Sequence, residues 1–148
     1  METEITLHII LIKPTPGVMY GLQKGSGSNY ETVQKQIAAA GDLSIKFTIN
    51  VKGDSSTDKL PKFSGGYVQG PSDNKFVYID IGTAAGQTGS IWSSRLKIPL
   101  TGITWQHIDS FTRNPSVIME THVPGTGKDG GPNCAMVKPF DGWHLKNV

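Results

Sequence analysis

Six residues in the first two thirds of the chain carry complementary binding chemistry: Gln23, Lys24, Tyr67, Gln69, Trp92 and Arg95. The two amides offer donors and acceptors, the two cations offer charge, and Tyr and Trp offer flat walls with polar tips. Together they suit a sugar, a carboxylate or another small planar ligand. The spacing of Tyr67 and Gln69 puts both on one face if they share a strand. The alternative is structural: Trp92 belongs partly to the core, and the Arg95 stem covers apolar surface.

A seventh candidate, Lys128, sits in the string Gly125-Thr126-Gly127-Lys128-Asp129. Glycine-rich backbone beside a lysine resembles a phosphate cradle, because several N–H groups can converge on one anion. The nucleotide-loop pattern fails here. His122 stands where its first glycine belongs, Asp129 replaces the Ser or Thr after the lysine, and Pro132 blocks the helix that must follow. A tight turn or a loop contacting a ligand remains.

Cys134 with His122 and Asp129 or Asp141 has the types of a thiol nucleophile, base and orienter, although no local signature supports the set. The structural alternative is a small buried apolar cysteine. The four histidines, His8, His107, His122 and His144, are 99, 15 and 22 positions apart. No close pair forms, so no metal site is expected. Asp54, Ser56 and Asp58 have the oxygen spacing of a calcium loop. Lys59 and Gly65 occupy the glycine and distal glutamate positions, which excludes an EF-hand and leaves a solvated loop or weak calcium.

The 148-residue length fits one domain with a core of its own, a single domain over residues 1–148. A net charge of +2 without any basic run argues against nucleic acid, and the apolar runs are too short to cross a bilayer. One cysteine forbids an intramolecular disulfide, and no secretory pattern opens the chain, so a cytoplasmic setting is expected. With 18 Gly and 9 Pro the chain must turn often.

The elements follow from periodicity. Residues 5–12 are almost continuously apolar and predict a central strand buried on both faces. Residues 18–23 predict a strand pairing back on it. Residues 30–40 read either as a short helix or as a strand hairpinned to the next, with the strand favoured. Leu43, Ile45, Phe47, Ile49 and Val51 alternate with polar residues, the pattern of a strand with one face on a core. Further strands are expected at 63–69, 76–81, 91–100, 117–123 and 134–137, and the tail 140–145 is expected to pack across an open end. Thr104 caps the one expected helix, with Trp105, Ile108 and Phe111 on one face and Pro115 as its stop. Seven to nine short strands separated by turns imply an all-β fold, an antiparallel β-sandwich or partly open barrel with one short helix.

Several stretches carry a family likeness: Gly21-Leu22-Gln23-Lys24-Gly25, Gly70-Pro71 with Phe76-Val77-Tyr78-Ile79, Gly86-Gln87 with Trp92 and Arg95, and the string from Val123 to Pro132 with Lys138-Pro139-Phe140 and Gly142-Trp143. Across residues 7–143 the chain resembles an uncharacterised bacterial family of single-domain proteins with a Gly-Thr-Gly-Lys-Asp-Gly-Gly-Pro loop. The resemblance also implies a second arginine at the position of Ser94, a departure that weakens a paired-arginine clamp. It implies a small β-rich domain and carries over no activity, cofactor or catalytic residue.

The leading expectation is a non-enzymatic module binding a small polar or anionic ligand, without a cofactor. Arg95 and Lys24 would pair with charge, Gln23 and Gln69 would orient, and Tyr67 and Trp92 would stack. A small metal-independent enzyme using Cys134 or a His/Asp pair is the alternative, as is a self-assembling homo-oligomeric subunit pairing through strand edges.

Overall fold

The computed structural model describes residues 2–12, 14, 16–25, 29–39, 41–71, 74–83, 92–108, 116–120, 134–137 and 143–147. Ten strands are described: β1 (Glu2–Ile12), β2 (Val18–Lys24), β3 (Glu31–Ile37), β4 (Leu43–Lys52), β5 (Lys62–Ser64), β6 (Phe76–Thr83), β7 (Trp92–Pro99), β8 (Ser116–Glu120), β9 (Cys134–Val137) and β10 (Trp143–Asn147). They form a six-stranded sheet, ordered β5-β4-β1-β8-β10-β9, and a four-stranded sheet, ordered β3-β2-β6-β7. The fold is all-β and sandwich-like, mostly antiparallel, and no barrel closes among the described residues. The exceptions to the antiparallel pattern are β8 with β1 and β8 with β10, both parallel.

Alternation in β4 sets the register of the large sheet. Leu43, Ile45, Phe47 and Ile49 lie directly across from Leu11, Ile9, Leu7 and Ile5 of β1. All eight are buried. Cross-strand apolar pairs on one face are the main stabilising unit of a sheet. β1 is central, between β4 and β8, but it is not buried on both faces. Its even positions include Glu4, Thr6 and His8, so Glu4 and Thr6 are exposed while His8 and Ile10 are half-buried.

Two expected pairings are replaced. β2 does not return to β1, whose two edges are already taken by β4 and β8. It enters the small sheet between β3 and β6, where its own N–H and C=O groups find partners. β3 is a strand, but it pairs with β2 rather than hairpinning to β4. Its link to β4 runs through side chains: the amide of Gln34 donates to the Lys46 carbonyl at 2.7 Å, and that of Gln36 to the Ser44 carbonyl at 2.9 Å. A bulge makes this reach. Gln34 and Lys35 both fall opposite Gly21, and Gln34 adopts a φ of 52°, an uncommon conformation for a side chain of this kind.

The expected strand over 63–69 is shorter, because Gly65 at φ 134° breaks it after Ser64. Val68 N–H then closes a turn on the Gly65 carbonyl, and the ladder resumes only at an isolated bridge between Gln69 and Phe76. The tail forms β10 between β8 and β9 instead of lying across an end.

Both sheets contribute to one apolar cluster, with Tyr20, Leu22, Val77, Ile79, Leu96 and Ile98 facing the buried residues of β1 and β4. The helix begins as expected over residues 105–108. Thr104 Oγ1 accepts from His107 N–H, and His107 Nδ1 accepts from Thr104 N–H at 2.8 Å, a reciprocal cap in which histidine takes the role usually held by Glu. Phe111 and Pro115 lie outside the described residues. Among the described residues no helix is long and apolar enough to cross a membrane.

Candidate functional site

The β6–β7 hairpin separates two faces by simple alternation. Val77, Ile79 and Ile81 with Leu96 and Ile98 point into the core. Phe76, Tyr78 and Asp80 therefore line the opposite face, across from Pro99, Lys97 and Arg95. Register carries that outer face across the sheet. Gly21 of β2 lies opposite Asp80, which puts Gln23 on the same side, and Thr32 of β3 lies opposite Gln23.

An acidic residue is buried in the middle of this face. Asp80 is 1% exposed, and Arg95 Nε approaches its Oδ1 at 3.3 Å. Thr32 Oγ1 donates to Asp80 Oδ2 at 2.8 Å. Gly21 stands between these two strands and adds no side chain there. The Arg95 guanidinium is flanked by two aromatic rings, 5.3 Å from the centre of Tyr30 and 5.0 Å from that of Tyr78. Beside it, Lys97 Nζ lies 4.4 Å from the ring centre of Phe76, which itself packs against Tyr78 at 4.8 Å. Cation–ring contacts of this kind contribute about 0.5–2 kcal/mol each, more where water is excluded.

Two amides on the same face are left incomplete. Gln23 is 2% exposed, and its Oε1 has no hydrogen-bond partner among the described residues. Gln69, held by its bridge to Phe76, is 9% exposed, and its Nε2 likewise has none. A buried polar group without a partner costs about 1–3 kcal/mol. One is an acceptor and the other a donor.

Gly70 fixes where Gln69 sits. Its φ is 97°, and a Cβ built there would lie 2.4 Å from the Asn74 carbonyl and 2.7 Å from the Phe76 ring. Only glycine fits. The turn closes through Asn74 N–H on the Pro71 carbonyl and through the Lys75 ammonium, which donates to the Gly70 carbonyl.

The structure thus brings Gln23, Gln69 and Arg95 to one face. It puts Lys24 and Tyr67 elsewhere. Lys24, one step past Gln23, turns to the core side, where its ammonium lies 5.8 Å from the Tyr67 ring centre. Tyr67 packs on Phe47 at 5.3 Å and does not share a strand face with Gln69. Trp92 is placed by its backbone opposite Gly82, next to a register shift. Lys128, His122, Asp129 and Asp141 lie outside the described residues, as does the whole glycine string. Cys134 opens β9 opposite Asn147, and His144 lies opposite Val137.

A family model described as a family of unknown function, DUF5990, matches residues 5–146. The chain belongs to DUF5990. No curated protein and no solved structure matches it. The chemistry of this DUF5990 member must therefore be read from its own residues.

Four residues of this candidate face carried no role in the sequence: Tyr30, Thr32, Tyr78 and Asp80. For Asp80 a signal existed, since an acid inside the apolar run 76–81 falls in phase with Arg95 across the hairpin. Tyr30 and Thr32 gave none, because their place depends on β3 joining β2.

The remaining titratable clusters have local uses. The Asp54 carboxylate accepts from Ser56 N–H and Oγ, which lowers its pKa below 3.8, and Asp58 accepts from Asp54 N–H. The calcium-like spacing is thus occupied by the loop's own donors. Among the described residues no group of three or more His, Cys, Asp or Glu could hold a metal ion. His8 bonds Ser44 Oγ, and partial burial with Lys46 alongside holds its pKa below 6.5.

Proposed function

We propose that this DUF5990 domain is a non-enzymatic binding module whose ligand lies on the outer face of the four-stranded sheet. The observation that carries the reading is the pair of incomplete amides, Gln23 Oε1 and Gln69 Nε2, buried on the face that also holds Asp80 and Arg95. Folding does not favour such groups unless something else supplies their partners. A ligand would give Gln23 a donor and Gln69 an acceptor, and Tyr30, Tyr78 and the Arg95 plane would supply flat contact area.

Because Asp80 already offsets the charge of Arg95, the geometry favours a small polar ligand over a strongly anionic one. A planar molecule with donor and acceptor groups suits it best. The bacterial source and cytoplasmic setting expected from the sequence belong to the same proposal.

Gln23→Met and Gln69→Met test this reading directly, because methionine keeps the length and removes the polar atoms. Both variants should fold and lose the ligand that copurifies with the wild type. Equal ligand content in wild type and variants would remove the site. Arg95→Ala is the poorer probe, since it removes the cation beside a buried carboxylate.

A further inference from the structure

A separate cleft opens beside β5 and the segment leading into β6. Its volume is about 200 Å³, with a floor of Phe63 and Ile103 and a rim of Leu60, Lys62, Lys75 and Thr101. Phe63 and Ile103 belong to the core, at 7% and 1% exposed, while Leu60 stands 49% exposed at the edge. The lining comes from both layers. Lys62 and Phe63 are on β5 at the edge of the large sheet, and Lys75 precedes β6 in the small one.

The chemistry of the cleft is asymmetric. Apolar residues share its lining with two lysines and a threonine, and no acidic residue is among the described residues that line it. Lys75 Nζ is held by its 2.8 Å bond to the Gly70 carbonyl, which leaves two further N–H donors. A compact ligand with an apolar body and one anionic head matches both halves. The size is sufficient, because an apolar cavity of about 150 Å³ accepts benzene.

We infer that this cleft is a binding site for a small amphipathic carboxylate of about benzoate size. The ring lies on Phe63 and Ile103, and the carboxylate meets Lys62 and Lys75. The cleft is a separate opening from the Gln23–Gln69 face, and Lys75 touches both, since it also closes the turn that holds Gln69.

Titration of the full chain with sodium benzoate at constant ionic strength, followed by ¹H–¹⁵N correlation spectra, tests the inference. Saturable shifts are expected at Thr101 and Ile103, with none from benzylamine, which has the ring but the opposite charge. Lys62→Gln with Lys75→Gln should weaken benzoate at least fivefold while the rest of the spectrum holds its dispersion. Lys62→Gln alone serves as the second variant, because Lys62 is exposed. An equal response to benzylamine, shifts confined to the Gln23 and Asp80 face, or unchanged affinity in the lysine variants would each overturn it.

Discussion

Gln23 presents an energetic cost that the free fold does not recover. Its buried acceptor faces no donor among the described residues. Gln23→Met should therefore raise the stability of the ligand-free protein by about 1 kcal/mol, read as a higher urea midpoint at unchanged slope. A lower midpoint would show that the amide is satisfied. Arg95 has the opposite balance. Arg95→Ala removes the cation beside the buried Asp80 carboxyl and should cost about 3–5 kcal/mol. Adding Asp80→Ala should restore part of that loss, so the double variant is more stable than the sum of the singles. His8 gives a pH signature. With its folded pKa held below 6.5, the native state binds fewer protons than the unfolded chain. Stability is then full above 6.5 and falls as pH drops towards the folded value. His8→Gln should flatten that decline between about pH 7 and pH 5. An imidazole titrating above 6.5 by NMR would contradict it.

At the scale of elements, the turn at Gly70 couples the small sheet to the site. Gly70→Ala places a Cβ against the Asn74 carbonyl at a left-handed φ. The conformation alone costs about 1–2 kcal/mol, and the clash adds to it. The variant should lose stability by thermal unfolding and shift the Gln69 and Phe76 amides; unaltered shifts there would show that the turn does not hold Gln69. What could be read from sequence divides along the same line. Strand identity was legible in β4, β6 and β7, because apolar residues at period two report burial directly. Partnership was not. β2 and β3 carry ordinary strand patterns, and which edge they meet depends on edges already filled elsewhere. The position of Tyr67 turned on Gly65, whose φ breaks the strand that would have set it beside Gln69. The candidate face was half legible for the same reason: Gln23, Gln69 and Arg95 are individually conspicuous, whereas Asp80, Tyr30 and Thr32 acquire meaning only through cross-strand register.

At the scale of the molecule, two sheets share one core and leave the outer face of the smaller sheet with a buried aspartate paired to a half-buried arginine, two tyrosines and two incomplete amides. Apolar burial accounts for the sandwich, but it does not account for that face. A sheet built only for stability would place apolar or fully paired groups there. The measurement that tests this most directly is native mass spectrometry of the wild type and the Gln23→Met/Gln69→Met variant, both purified gently from the protein's own host. The account predicts a small added mass on the wild type that is lost on denaturation, and a bare variant. A bare wild type, or the same added mass on both, would contradict it.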